Sequence, residues 1–531
     1  MTSVEVYDRC DRRRIADDAF VAADDCFDLL IVGGGINGVG IARDAAGRQL
    51  RVALIEQGDL AQATSSASTK LIHGGLRYLE FFEFRLVREA LIERERLLGI
   101  APHLIRPMEF ILPHVEGLRP RWQIRLGLFF YDHIGTRQKL PASRSVRLAT
   151  GRYGRLRAGL DHGFAYADCA VDDSRLVIAN AIDAAERGAR IWTRTRFVSA
   201  APQGSLWHAQ CQDVATGEKR EIRARVLVNA AGPWVEQVLR SIPDVQAESQ
   251  VRLVKGSHLV VPKLFEGEHA FMLQNPDGRI VFAIPYERDW TLIGTTDVPF
   301  TGDPSQVAIS QEEIDYLTGT VRAYFERTIE RHEIVWTYAG VRPLLDDESE
   351  SASKVTRDYR LELAESPSHP PVLSIFGGKI TTYRRLAEAA LGKLTPFVRG
   401  SRGDWTDTAP LPGGDLLGAD FDAFLSEVRR HWPFLSPVQA SRLAHAYGTR
   451  VERVLGSATT TADLGEEFGG GLTRAEVEYL LEQEWARTPE DVLWRRTKAG
   501  LHMSAQQREL FARTFQELSD KPRTHADYAA S

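Results

Sequence analysis

The sequence predicts an α/β chain in three parts, on three observations. Residues 28–56, DLLIVGGGINGVGIARDAAGRQLRVALIE, set an apolar run, a glycine turn, a helical stretch and a second apolar run in succession. Residues 250–340 hold short runs that alternate like strands of an antiparallel sheet, with turns at 275–278 and 287–289. Beyond residue 405 the pattern is helical to the end, broken at Tyr447-Gly448, 465–471 and Thr488-Pro489. A chain of 531 residues is too long for one ordinary core, so two or three domains are expected.

The first stretch has a physical logic. Residues 29–32 read as a buried strand. They enter Gly33-Gly34-Gly35-Ile36-Asn37-Gly38, then a helix to about Arg48, then the run 52–55, which ends on Glu56. Gly33 permits the tight turn. Gly35 lets the backbone approach a pyrophosphate, where a Cβ would collide. Gly38 lets the helix pack close to the strand. Free N–H groups at the helix start, with the helix dipole, favour phosphate charge. Glu56 is placed to accept hydrogen bonds from a ribose diol. The elements are in register for a Rossmann-like dinucleotide-binding unit.

Composition narrows the class. Hydrophobic content of 43% and charged content of 26% fit a soluble globular protein, and a net charge of −6 gives no global reason for nucleic acid. Cys10, Cys26, Cys169 and Cys211 are scattered without a C-x-x-C pair. They offer no disulfide framework, metal signature or thiol redox motif, and a reducing compartment is the simplest reading. Residues 1–27 carry Arg12, Arg13 and Arg14 but no apolar h-region, and read as a polar extension, not a signal peptide. No apolar run reaches the length of a membrane-spanning helix.

After Glu56 the chain passes through ATSSASTKLIHGGLRY, residues 63–78, dense in Thr64, Ser65, Ser66, Ser68 and Thr69. Such a stretch reads as a surface loop or as hydroxyls and amides along a cofactor. Residues 81–98 predict an amphipathic helix. Residues 119–157 hold nine arginines and Lys139 against one acid, Asp132, interleaved with Trp122, Ile124, Leu126, Leu128, Phe129, Phe130 and Tyr131. That composition suits an interfacial membrane surface, a basic face around an ordinary apolar core, or a subunit contact. A helix is predicted at 175–187, and strands at 190–197, 207–211 and 224–231, the last ending in Gly232-Pro233-Trp234. These return to the first sheet. A strand at 371–376 enters a second glycine turn, Gly377-Gly378-Lys379-Ile380-Thr381, which sets N–H groups at a helix start. The helical C-terminal part shows no chemical constellation. Trp485, Trp494, Arg495 and Arg496 read there as packing and surface.

Taken together, GGGINGVGIARDAAGR, TSSASTKLIHGGLRYLE, EFRLVREALIERE, NAAGPWV, VKGSHLVV, IGTTD, WTYAGVRPL, TRDY and FGGKITTYR resemble the respiratory, quinone-linked FAD-dependent glycerol-3-phosphate dehydrogenases, within the D-amino-acid-oxidase-like flavoproteins. The likeness runs from about residue 28 to about 385 and continues more loosely beyond. It says nothing about residues 1–27.

The resemblance implies FAD as cofactor and oxidation of glycerol 3-phosphate at C2 to dihydroxyacetone phosphate, with electrons passed to a membrane quinone. An oxidase using oxygen is the alternative. An NAD-dependent dehydrogenase is disfavoured by the absence of a second nucleotide fingerprint, and a flavin-binding scaffold would not require the cations Arg77, Arg342, Arg357 and Lys379. FAD is expected along Gly33, Gly35, Asn37, Gly38, Glu56, Thr64, Ser65, Ser66, Ser68, Lys70, Leu71, His73, Gly232, Gly340, Gly378, Lys379, Ile380 and Thr381. A phosphomonoester dianion calls for fixed cations, so Arg77, Tyr78, Arg342, Arg357 and Lys379 are expected at the substrate. His258 is the candidate proton acceptor, with Arg342 and Lys379 beside the reacting centre. No metal is expected. A discontinuous FAD-binding domain is expected over 28–100, 166–250 and 340–400. A substrate or cap domain is expected over 101–165 and 251–339, and a helical domain over 405–531. The basic segment implies peripheral attachment to an anionic lipid surface on the cytoplasmic side of the cell membrane, and a homodimer is expected.

Overall fold

A computed structural model describes residues 26–519, apart from 136, 150–151, 154–155, 247, 346–357 and 399–402. Among the described residues lie two large sheets, and a C-terminal part of helices with a small two-stranded sheet, Glu467–Gly469 with Leu472–Thr473. The first sheet has eight strands. Its parallel centre runs His369–Gly377, Lys219–Asn229, Cys26–Val32, Val52–Ile55, Arg190–Trp192. Leu29 pairs with both Val226 and Val52, Val228 with Leu373, and Ala53 with Arg190. The central apolar runs are continuous, as a sheet covered on both faces requires. Helices Ile36–Gly47, Asp173–Glu186 and Tyr383–Leu394 pack together on one face. The hairpin Thr195–Gln203 with Leu206–Asp213 extends the sheet and buries Trp207 on the other. The run expected as one strand over 190–197 is two: a left-handed residue, Arg194 (φ 53°), separates a parallel strand from an antiparallel one.

The second sheet has ten strands. Val251–Pro262 pairs antiparallel with Trp336–Leu345 and Trp290–Gly294. Ile280–Tyr286 and Ala270–Gln274 follow, then Ile105–Pro113 and His162–Val171. The expected domain borders at 165/166 and 339/340 fall inside His162–Val171 and Trp336–Leu345, strands that belong to this sheet along their whole length. Helix Arg121–His133 packs Ile124, Leu128 and Tyr131 on one face of the sheet, and Gln311–Tyr324 packs Leu317 and Val321 on the other.

The C-terminal helices bury a core of their own. No helix among the described residues is long and apolar enough to cross a membrane.

Candidate active site

The strand Cys26–Val32 ends at Gly33, whose φ of +116° is closed to ordinary side chains. A Cβ there would lie 2.4 Å from the Ala230 carbonyl oxygen. A Cβ on Gly38 would lie 1.9 Å from the Gly33 oxygen. Both glycines are therefore demanded by the protein's own packing. Gly35 differs: its Cβ would approach only Ser65 Oγ, at 3.1 Å. The space in front of it opens into a cavity of about 1440 Å³, larger than the roughly 300–1,000 Å³ of ordinary small-molecule sites.

Helix Ile36–Gly47 starts at this mouth with no side-chain cap of its own; Ser65 Oγ accepts the Ile36 N–H at 3.0 Å. Glu56 accepts Gly34 N and Gly58 N, one on each oxygen, at 2.7 Å. Burial raises its pKa against the pull of those two amides. Each carboxylate oxygen retains a lone pair for a further donor.

The hydroxyl-rich loop divides in two. Thr64, Ser65, Ser68 and Leu71 border the cavity. Ser66 and Lys70 lie behind it. Lys70 Nζ donates to the Ser66 carbonyl (2.9 Å) and to Asp173 (2.8 Å), which also takes Ser68 Oγ at 2.7 Å. A buried ammonium needs such a carboxylate, so Lys70 stiffens the loop from its rear face. Gly38 also faces away from the cavity, while Gly33, Gly35, Asn37, Glu56, Gly232 and Gly340 line it.

His73, Arg77, Tyr78, Arg342, Gly378, Lys379, Ile380 and Thr381 line the same cavity. Lys379 Nζ lies 4.0 Å from the centre of the Tyr78 ring. Arg342 donates to Asp297 and Thr295, and a Cβ on Gly256 would collide with its Nη2 at 2.1 Å. Arg77 Nε is buried without a partner among the described residues. Thr381 Oγ1 accepts the His73 N–H at 3.3 Å, and Asn37 Nδ2 reaches the Gly377 carbonyl at 3.3 Å, which joins the two glycine turns. Burial lowers the His73 pKa, with Asp168 opposing and Lys379 adding.

His258 does not border the cavity. It is fully buried, stacks on Tyr338 with ring centres 4.6 Å apart, and meets Thr69 Oγ1 at 3.1 Å. Thr69 is the residue that lines the wall. Burial first, then Arg342 and Lys70, push the His258 pKa well below its ordinary value. Arg357 lies outside the described residues. Tyr166, Asp168, Thr295 and Asp297 also line the cavity, and none was assigned from the sequence. Thr295 and Asp297 stand in the IGTTD motif, the one signal for them. Asp168 has none, because only strand pairing brings it here.

Residues 28–384 match the family model of FAD dependent oxidoreductases, and 405–524 match that of the C-terminal domain of alpha-glycerophosphate oxidase. A glycerol-3-phosphate dehydrogenase of Pseudomonas aeruginosa is 54% identical over 94% of this chain and 97% of its own. The aerobic glycerol-3-phosphate dehydrogenase of Escherichia coli is 51% identical over 90% and 95%. The chain belongs to the FAD-dependent glycerol-3-phosphate dehydrogenase family. A D-erythritol 1-phosphate dehydrogenase of Brucella abortus is 49% identical over 92% of this chain and 97% of its own length. The solved glycerol-3-phosphate dehydrogenase of Bacillus halodurans, complexed with FAD, superposes with a TM-score of 0.73 at 27% identity, covering 93% of this chain and 90% of that one.

FAD is the family's cofactor, and the residues here fit it. The volume that a Gly35 side chain would fill is free, the helix start faces it, and Glu56 closes the same end.

Proposed function

We propose that this chain oxidises sn-glycerol 3-phosphate at C2 to dihydroxyacetone phosphate and delivers the electrons to a membrane quinone. The observation that carries the reading is that Arg77, Arg342 and Lys379 line the same cavity as Gly35 and Glu56. Fixed guanidinium and ammonium groups suit a phosphomonoester dianion. Arg357 is kept as a second phosphate partner.

FAD, when bound, supplies the hydride acceptor for C2. The chain's own groups do the rest. Glu56, Gly35 and Ser65 hold the cofactor's nucleotide, and Arg342, braced by Asp297, holds the substrate phosphate. Lys379 supplies positive charge where negative charge develops. The 2-hydroxyl proton passes towards Thr69 and His258. Burial keeps His258 neutral, the form that can accept, while the nearby Arg342 and Lys70 make it a weak base.

Membrane attachment is part of the same proposal. On helix Arg121–His133, Trp122, Leu126, Phe129 and Phe130 are exposed opposite the buried Ile124, Leu128 and Tyr131. Phe81, Phe82 and Phe84 continue this apolar surface, with the Phe84 and Phe130 rings 6.3 Å apart. A contiguous exposed patch of that kind, beside the arginines of 119–157, supports peripheral docking on anionic lipid at the cytoplasmic face. A homodimer belongs to the reading as well, to be measured by sedimentation. For the domains, we keep an FAD-binding part on the first sheet, a cap on the second and a helical part from 405.

The test is anaerobic addition of glycerol 3-phosphate to the purified holoprotein. Bleaching of the flavin band is expected. Erythritol phosphate should bleach it more slowly; the reverse order would move the substrate to the longer polyol. Reoxidation should be fast with quinone and slow with oxygen. Fast reoxidation by oxygen favours the oxidase, the second reading that the C-terminal match supports.

A further inference from the structure

Loop 73–78 brings Arg77 and Tyr78 to the cavity, and two side chains outside the proposed chemistry, Tyr131 and Asp168, grip it. Gly74 N donates to Tyr131 Oη at 2.8 Å and to Asp168 Oδ1 at 3.3 Å. Tyr131 Oη donates in turn to Asp168, at 2.7 and 2.9 Å. Arg94 closes the group, with Nη1 2.6 Å from Asp168 Oδ1 and 3.0 Å from the Ala167 carbonyl. Tyr131, Asp168 and Arg94 are all buried. No side chain fits at residue 74, since a Cβ would lie 2.7 Å from Tyr131 Oη and 2.5 Å from Leu91 Cδ2. The next residue, Gly75, turns the chain with a φ of +77° into the short helix Leu76–Phe81, which carries Arg77 and Tyr78.

A buried carboxylate that already holds an arginine does not need a loop amide as well. Here the amide is drawn in, and hydrogen bonds to an ionised acceptor are among the stronger ones. Tyr131 comes from helix Arg121–His133, which the cap sheet holds through Ile124 and Leu128. Beyond the loop, Phe84 at the start of helix Phe84–Ile100 meets the same helix at Phe130. We propose that Tyr131 and Asp168 are positioning residues: through the Gly74 amide they hold loop 73–78 in the shape that presents Arg77 and Tyr78 to the cavity. The functional side of this rests on the reading of Arg77 and Tyr78 as substrate contacts.

The test compares full-length holoenzyme carrying Tyr131→Phe or Asp168→Asn with Tyr324→Phe. The last removes a buried hydroxyl bonded to the Gln274 carbonyl, on the other face of the cap sheet. Hydrogen exchange of the 73–78 amides should quicken about fivefold in Tyr131→Phe, the worth of one net hydrogen bond, and more in Asp168→Asn. It should stay unchanged in Tyr324→Phe, although melting temperature falls in all three. KM for glycerol 3-phosphate should rise in the first two with kcat little altered. Exchange no faster than wild type in Tyr131→Phe overturns the proposal, as does equal quickening in Tyr324→Phe. Faster exchange with unchanged KM upholds the grip on the loop and removes Arg77 and Tyr78 from the substrate site, so the two readings fail separately. Should Asp168→Asn not fold, Tyr131→Phe decides.

Discussion

At Gly33 and Gly35 the cavity wall is backbone; where Arg77, Arg342 and Lys379 line it, it is side chain. The first wall works by missing atoms. Gly33 and Gly38 leave room for neighbouring carbonyls, and Gly35 leaves room for whatever occupies the cavity. The second wall works by charge held in place, with Arg342 braced by Asp297 and Thr295 and Lys379 set over Tyr78. Substitutions at the two walls should therefore fail in different ways. The glycine wall should lose cofactor or fold, and the cation wall should lose substrate with cofactor retained.

The largest effect should come from the glycines, and it should separate them. Gly35→Val should leave a folded protein without FAD, because nothing in the protein but Ser65 Oγ opposes the new side chain. Gly38→Ala meets the Gly33 oxygen at 1.9 Å and should cost on the order of 3 kcal/mol of stability through overpacking. The ratio of flavin to protein absorbance, read beside thermal unfolding of the apoprotein, distinguishes the two. A folded Gly35→Val variant with a full complement of FAD would contradict the nucleotide placement.

At the cations, Arg342→Ala should weaken glycerol 3-phosphate by about 2 kcal/mol, the low end of the cost of breaking one member of a charged pair, because Arg342 is only partly buried. FAD content should not change, and unphosphorylated glycerol, a poor substrate, should be little affected. Part of the loss comes from Asp297 losing the Arg342 guanidinium. The double variant Arg342→Ala, Asp297→Asn isolates that share. An unchanged preference for the phosphorylated substrate would take Arg342 out of the site.

The same contrast sets how much was legible in the sequence. The glycine wall was readable because its parts lie within one local unit, where strand, turn, helix and acid follow in order. Arg77, Arg342 and Lys379 could be named from motifs, but their common location depends on both sheets. Asp168 and Tyr131 could not be found at all, since the register of Ile105–Pro113 against His162–Val171 and the seating of a helix bring them to Gly74. Arg496 shows the limit best. Read as packing and surface, it is buried and pairs through two nitrogens with Asp59, at 2.6 and 2.8 Å, across 437 positions. Burial raises the Asp59 pKa, yet Arg496, Arg495 and Arg194 together hold it below the usual carboxylate range. Local periodicity cannot report a partner that far away.

Acid gives a third comparison, at the joint to the C-terminal helices, where two histidines meet. Burial, helped by Arg175, pushes the His103 pKa down to about 3. Burial likewise takes His445 to about 4, although its ring contact with the His103 carbonyl, at 3.0 Å, opposes the shift. Both are neutral in the folded protein at pH 6, whereas an unfolded histidine takes up a proton near pH 6.5. The unfolded state therefore binds more protons as pH falls. Stability should drop from about pH 6.5 towards about 4, by about 1.4 kcal/mol per pH unit for each histidine. Unfolding measured at pH 7 and 5.5 should show this slope, and His445→Gln should flatten it. A slope unaltered by that change would assign the acid sensitivity elsewhere.

The smallest effect tests the one side chain built into the backbone wall. Ser65 Oγ accepts the Ile36 N–H and so caps a helix that starts 29 residues earlier. That uses an oxygen lone pair and leaves the hydroxyl hydrogen, which has no acceptor among the described residues and borders the cavity. Ser65→Ala should then do two things at once. Loss of the cap should lower apoprotein stability by about 1 kcal/mol. Loss of the free donor should weaken FAD by a similar amount, close to fivefold in Kd. Titration of apoprotein with FAD, set beside apoprotein unfolding, measures the two independently. If stability falls while Kd holds, Ser65 serves the helix alone, and the wall at this end is backbone throughout. If both fall, one hydroxyl joins the two ways of building the cavity, fixing the helix through its oxygen and the cofactor through its hydrogen.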